Sequence, residues 1–145
     1  MLSFAGKLNI KWLSRLLFRK VISNLGGNLR AIASGGAALD PLVQKKWMAM
    51  GIDILPGYGL TETSPVISSN TFTSFKPGSV GKVLDNVEVK LGDDKEILVK
   101  GPNVFKGYFK NEEKTKESFT EDGWYKTGDL GEFDSKGFLY IKGRK

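Results

Sequence analysis

Two periodicities divide this chain near Pro65: before it, apolar positions recur at helical spacing or in short runs, and after it they alternate with polar ones. Over residues 8–22, Leu13, Leu16, Leu17 and Val21 recur at helical spacing with Lys11, Arg15 and Arg19 between them, which predicts an amphipathic, basic helix. Gly26-Gly27 ends it. Residues 29–33 read as a short buried strand running into Ser34-Gly35-Gly36. Asp40-Pro41 opens a second helix, with Asp as N-cap and Pro in the first turn; Leu42, Val43, Trp47 and Met50 form its apolar face and Gly51 stops it. Residues 52–55 make the next strand. Strand, helix, strand at this spacing is a parallel βαβ unit, and such sheets take ligands at the carboxyl ends of their strands. The Gly-rich loops after Ala33 and Leu55 should therefore share one edge.

Beyond Pro65 the alternation of Val87, Val89 and Leu91 with Glu88 and Lys90, a turn at Gly92-Asp93-Asp94 and a returning strand over residues 96–100 predict antiparallel β structure. Residues 111–119 read as a short exposed helix capped by Asn111. Trp124-Tyr125 begins another strand, and residues 133–138 form a hairpin turn into a last strand over 139–141. Phe105, Tyr108 and Phe109 read as core of this β part, and Trp12, Trp47 and Trp124 as packing residues. The expected fold class is α/β, a βαβ unit followed by antiparallel strands.

Composition narrows the chemistry. The 145 residues include no cysteine and no histidine, which removes disulfides, thiolate metal sites and Ser-His-Asp or Cys-His catalysis, leaving carboxylates, lysines and bound metal as reactive groups. The net charge of +6 is unevenly placed. Lys7, Lys11, Arg15, Arg19, Lys20 and Arg30 stand in residues 1–39 without an acid, and from Asp40 onward sixteen bases balance sixteen acids. Five of these six charges belong to a basic leader, residues 1–24, so no nucleic-acid groove is expected across the globular part. Three readings of the leader stand: a core-packing helix with a solvated face, contact with an anionic membrane surface, or an arginine-containing, acid-free organellar transit segment. No apolar run has the length of a secretory signal or a bilayer span. We expect a cytoplasmic protein, at most peripheral on the membrane.

The stretch richest in candidate chemistry is Gly57-Tyr58-Gly59-Leu60-Thr61-Glu62-Thr63-Ser64. Tyr58 offers an aromatic face, the threonines and Ser64 offer hydroxyls, and Glu62 offers a carboxylate suited to a hard cation such as Mg²⁺. It is not the dinucleotide fingerprint, because Glu62 stands where a third glycine is wanted; nor is there a Walker loop, since Gly81-Lys82 is followed by Val83. A second cluster, Gly123-Trp124-Tyr125-Lys126-Thr127-Gly128-Asp129-Leu130-Gly131, runs on to Asp134, Gly137 and Gly143-Arg144-Lys145. Lys126 beside it is read as a solvated lysine rather than a phosphate ligand.

Together these stretches resemble the adenylate-forming superfamily of acyl-CoA synthetases, luciferases and nonribosomal adenylation domains, whose signatures include Tyr-Gly-Leu-Thr-Glu and Thr-Gly-Asp-Leu-Gly followed by Gly-Arg. Ser34-Gly35-Gly36-Ala37-Ala38-Leu39 matches a third signature, and with residues 57–65 it is most similar to the long-chain fatty-acyl-CoA synthetases. The resemblance implies that Tyr58 lies against adenine and that backbone near Gly35, Gly36 and Gly57 approaches its edge. It further implies that Thr61 contacts phosphate, Glu62 holds Mg²⁺, Asp129 takes the ribose hydroxyls and Arg144 contacts ribose or phosphate, with Thr61 and Glu62 the catalytic pair. The implied substrates are ATP, a fatty acid and coenzyme A, and the implied reaction passes through an acyl-adenylate. Residues 25–145 would be the later part of the large N-terminal domain, a fragment inactive alone, without the family's upstream phosphate loop or its C-terminal lid domain. Lys145 is not taken as the lid's catalytic lysine. The alternatives are an adenylating enzyme for another carboxylic acid, or a truncated product that only binds nucleotide or membrane.

Overall fold

The computed structural model describes residues 11–145. The chain opens with two short helices, α1 (Lys11–Leu17) and α2 (Arg19–Asn24), separated at Phe18; residues 8–10 of the expected leading helix lie outside the described residues. Strand β1 (Ala31–Ser34), helix α3 (Pro41–Ala49) and strand β2 (Asp53–Tyr58) follow as the expected βαβ unit, with β1 and β2 parallel in the register Ala31 to Asp53 through Ser34 to Pro56. The start of α3 is fixed locally. The Asp40 carboxylate accepts from the Leu42 N–H at 2.7 Å, and Pro41 supplies the preset φ of the first turn.

Past its parallel partner, β2 runs on through Gly57 and Tyr58 and pairs antiparallel with β3 (Ser68–Ser69), which pairs with β4 (Lys82–Val83). A second, wholly antiparallel sheet follows in sequence order: β5 (Glu88–Leu91), β6 (Glu96–Lys100), β7 (Tyr125–Phe133) and β8 (Leu139–Arg144), with helix α4 (Glu112–Glu117) between β6 and β7. Asn111 caps α4 by accepting from the Lys114 N–H at 3.0 Å. The sheets are stitched where Val80 N–H donates to the Leu139 carbonyl and Leu139 N–H donates to that of Gly81, both at 2.9 Å. One core joins Ile67 to Val87, Ile97, Val99 and Leu139. A smaller one joins Ile22 to Ile52 and Ile54, with Trp47 against it.

Three helical and loop faces differ from the sequence expectation. In α1 and α2, Leu16, Leu17 and Val21 face outward, Leu16 at 59% exposure, and the buried positions are Ser14 and Ile22. Ile22 of α2 meets the apolar cluster, but α1 faces loop carbonyls, which suit a cation better than leucine: the Arg15 guanidinium donates to the carbonyls of Leu29 (2.8 Å), Gly27 (3.0 Å) and Gly51 (3.3 Å). In α3, Leu42 and Val43 are exposed and Gln44 is buried. Gln44 donates to the Ile54 carbonyl at 3.2 Å and accepts from Gly78 N–H at 3.3 Å, tying the helix to β2 and to the loop before β4. Phe109 is not core but 88% exposed, while Phe105 and Tyr108 do pack, forming an aromatic cluster with Phe119 and Tyr125. Among the described residues no helix is long and apolar enough to cross a membrane.

Candidate nucleotide site

The end of β2 carries Tyr58, whose carbonyl accepts at 2.8 Å from the N–H of Ile67, the residue before β3. The chain then doubles back so tightly that a Cβ on Gly59 would sit 1.8 Å from the Pro65 carbonyl oxygen. Glycine at this position serves the loop's closure on itself, a role distinct from approach to a ligand. Thr61–Thr63 form a 3₁₀ turn, closed by the buried Thr63 hydroxyl, which donates to the Leu60 carbonyl and accepts from its N–H, each at 3.0 Å.

The opposite wall comes from β7. Its pairing with β6 sets Leu98 against Lys126 and Glu96 against Leu130, so Thr127, Gly128 and Asp129 face the single residue Ile97. Such a bulge lifts residues out of the ladder and re-aims their side chains. Gly128 takes the left-handed φ of +74° that the bulge requires. The buried Thr127 hydroxyl donates to the Ile97 carbonyl at 2.9 Å and accepts from Asp129 N–H at 3.1 Å. Buried Glu96 accepts from Gly128 N–H at 2.9 Å and from Lys145 Nζ at 3.0 Å. The consecutive Thr127-Gly128-Asp129 is therefore a built bulge that presents one carboxylate.

That carboxylate meets Tyr58. The Tyr58 hydroxyl donates to Asp129 Oδ2 at 2.7 Å, and Arg144 Nε stands 3.6 Å from Oδ1, on a side chain 74% exposed. Burial, seconded by the Asp129 charge, pushes the Tyr58 phenol well above the usual tyrosine range, so it stays a neutral donor. Between these walls lies a cavity of about 340 Å³, within the range of small-ligand clefts. Its wall includes Ser34 at the end of β1 and Gly36 beyond it, Gly57 and Tyr58 at the end of β2 with Gly59 and Leu60 following, Gly78 to Val80, and Asp129, Gly143 and Arg144 from the second sheet. It opens at the carboxyl ends of the two parallel strands, where sheets of this kind take ligands.

Of the residues singled out from sequence, Gly36, Gly57, Tyr58, Asp129 and Arg144 line this cavity. Gly35 stands just behind it, its absent Cβ 3.8 Å from the Gly57 carbonyl oxygen. Thr61 and Glu62 do not line it. Thr61 is exposed on the 3₁₀ turn, and Glu62 Oε1 accepts from the Tyr108 hydroxyl at 2.9 Å. Burial, and then the Glu62 bond, raise the Tyr108 phenol above its ordinary value. A lone glutamate with a second oxygen to offer fits Mg²⁺ carried in on nucleotide phosphates, which takes one or two protein carboxylates and keeps waters. Among the described residues no group of three or more acids is placed to make an all-protein metal cage. Sequence reading missed Gln44, Tyr108 and Glu96. Their roles depend on partners 10 to 49 residues away, which no local pattern reports.

Two sheets flanking a cleft at parallel strand ends, in a mixed α/β arrangement, are the architecture of the N-terminal domain of adenylate-forming enzymes. The AMP-binding enzyme family matches residues 6–109, and the chain belongs to that family. It is 48% identical over 131 residues to a long-chain-fatty-acid–CoA ligase, FadD15, of Mycobacterium bovis, an alignment covering 90% of this chain and 22% of the relative. Among solved structures it is similar to ATP-bound MatB from Rhodopseudomonas palustris, with TM-score 0.76 and 40% identity over 81% of this chain and 26% of that one. It is also similar to the O-succinylbenzoate coenzyme A synthetase of Bacillus subtilis in complex with AMP, with TM-score 0.70 and 38% identity over 80% of this chain and 26% of that one. The chain thus spans about a fifth of the length of the curated relative and about a quarter of the structural ones.

Proposed function

We propose that this chain supplies the adenosine side of the active site of an ATP-dependent acid–CoA ligase whose acid is a long-chain fatty acid. The observation that carries this reading is the Asp129 carboxylate, lifted by the β7 bulge and held by Tyr58 at the mouth of the strand-end cavity. A carboxylate that already accepts one hydrogen bond keeps lone pairs free for two vicinal hydroxyls, which suits a ribose. The flat wall of Gly36, Gly57 and the Tyr58 ring suits a purine, and Arg144 at the rim suits a phosphate. The fatty-acid choice is supported by the identity to the mycobacterial ligase across most of the chain.

In the reaction, a carboxylate oxygen attacks the α-phosphorus of ATP and the bond to pyrophosphate breaks, giving an acyl-adenylate and pyrophosphate. The thiolate of coenzyme A then attacks the acyl carbon and AMP leaves. Little covalent work falls to the protein; holding the nucleotide in line and stabilising phosphate charge supply most of the rate. Tyr58 and Asp129 fix the nucleoside, Thr61 offers a hydroxyl to phosphate, and Glu62 offers a carboxylate oxygen to Mg²⁺. When bound, the cation neutralises charge on the phosphates. We expect the 145-residue chain to bind nucleotide without turning over acid and thiol.

Calorimetric titration with AMP and with ATP and Mg²⁺ tests the reading. Asp129→Ala should weaken AMP by about tenfold or more, the cost of losing hydrogen bonds to a charged acceptor. Equal affinity in the variant, or no heat of binding from the folded unmodified chain, would contradict it.

A further inference from the structure

We propose that Tyr108 is a positioning residue for Glu62, fixing the carboxylate so that Oε2 is presented to the nucleotide-bound cation. The proposal rests on the nucleotide and metal reading above and extends it to a segment that no part of that reading uses.

The segment after β6 clasps the 3₁₀ turn at several points. Asn103 Nδ2 donates to the carbonyls of Thr63 at 2.8 Å and Val66 at 3.1 Å, and Phe105 N–H donates to the Glu62 carbonyl at 2.8 Å. These bonds set the backbone of the turn. The Tyr108 hydroxyl, donating to Oε1 at 2.9 Å, then sets the side chain. Tyr108 is itself braced: its N–H donates to Thr115 Oγ1 at 2.9 Å and its ring stands edge-on to Phe105 at 4.9 Å. The Lys114 ammonium lies 4.5 Å from the centre of the same ring. The preceding Gly107 lies so close to Thr115 that a Cβ would stand 2.5 Å from its methyl group. A free glutamate has three side-chain torsions to settle before it can ligate. Here one oxygen is already tied, which leaves the other in a narrow range of directions. Partners of this kind, bonded to the non-ligating atom of a metal ligand, tune affinity without touching the ion.

The test uses Mn²⁺ in place of Mg²⁺, followed by the electron paramagnetic resonance signal of the free ion while the 145-residue chain is titrated with ATP. Tyr108→Phe keeps the ring and its packing and removes only the hydroxyl. It should leave metal-free ATP binding and the thermal midpoint close to those of the unmodified chain, and weaken Mn²⁺ in the ternary complex by about tenfold. Glu62→Gln should weaken it at least as much, and the double variant no more than Glu62→Gln alone. A merely structural hydroxyl would lower the thermal midpoint without that non-additivity. Unchanged Mn²⁺ affinity in Tyr108→Phe, with Glu62→Gln impaired, overturns this proposal while sparing the functional reading. Failure of the unmodified chain to bind ATP overturns both.

Discussion

Tyr58 illustrates how one residue does two jobs at different atoms: its ring forms part of the cavity wall, and its hydroxyl holds Asp129 from the other sheet. Beside it, Gly59 shows the reverse, a motif residue whose constraint comes from the protein alone. Because a Cβ there would meet the Pro65 carbonyl carbon at 2.7 Å and its oxygen closer still, Gly59→Ala must push backbone against backbone. We expect a loss of about 3 kcal/mol or more, read as a lower urea midpoint. The sequence marks both residues within Gly57-Tyr58-Gly59 but not that Gly59 is required by the loop's own closure, since that depends on where Pro65 returns. Tyr108 was legible only as an aromatic. Its bond to Glu62 spans 46 residues and leaves no spacing to read.

At the scale of elements, local signals held where local chemistry decides. The Asp40 and Asn111 caps, the parallel β1 and β2, and the hairpin into β8 follow from residues adjacent in sequence. Helix faces did not follow, because the docking surface chooses the face: Arg15 on three carbonyls displaced the leucines of α1, and Gln44 displaced Leu42 and Val43 of α3. The β7–β8 hairpin has a comparable polar anchor. Asp134 accepts from Lys136 and Phe138 N–H at 2.8 and 3.0 Å and pairs with Lys76. The Lys76 ammonium, then the Phe138 amide, hold the Asp134 carboxyl down at about 2. A depressed carboxylate pKa stabilises the fold above the unfolded value, about 3.9, and the contribution is lost as pH falls through about 2. Asp134→Asn should therefore lose less of its thermal midpoint between pH 5 and pH 2 than the unmodified chain, by scanning calorimetry; an unaltered acid slope would contradict the assignment.

Across the whole molecule, the site exists because two sheets of different construction meet. The parallel pair supplies a strand-end edge, the antiparallel sheet supplies a bulge that aims one carboxylate back at that edge, and the Tyr58–Asp129 bond closes the contact. The two motifs were visible in sequence 71 residues apart. That they share one cavity was implied by the family resemblance and by no spacing or periodicity, because the meeting depends on the stitch between Val80, Gly81 and Leu139. The most direct measurement is a heteronuclear NMR titration of the isotope-labelled chain with AMP. The largest amide shifts should fall at Gly36, Gly57, Tyr58, Gly128 and Asp129, saturating together as one site. Shifts centred elsewhere, on the exposed face of α1 and α2 for instance, or none at millimolar AMP, would contradict it.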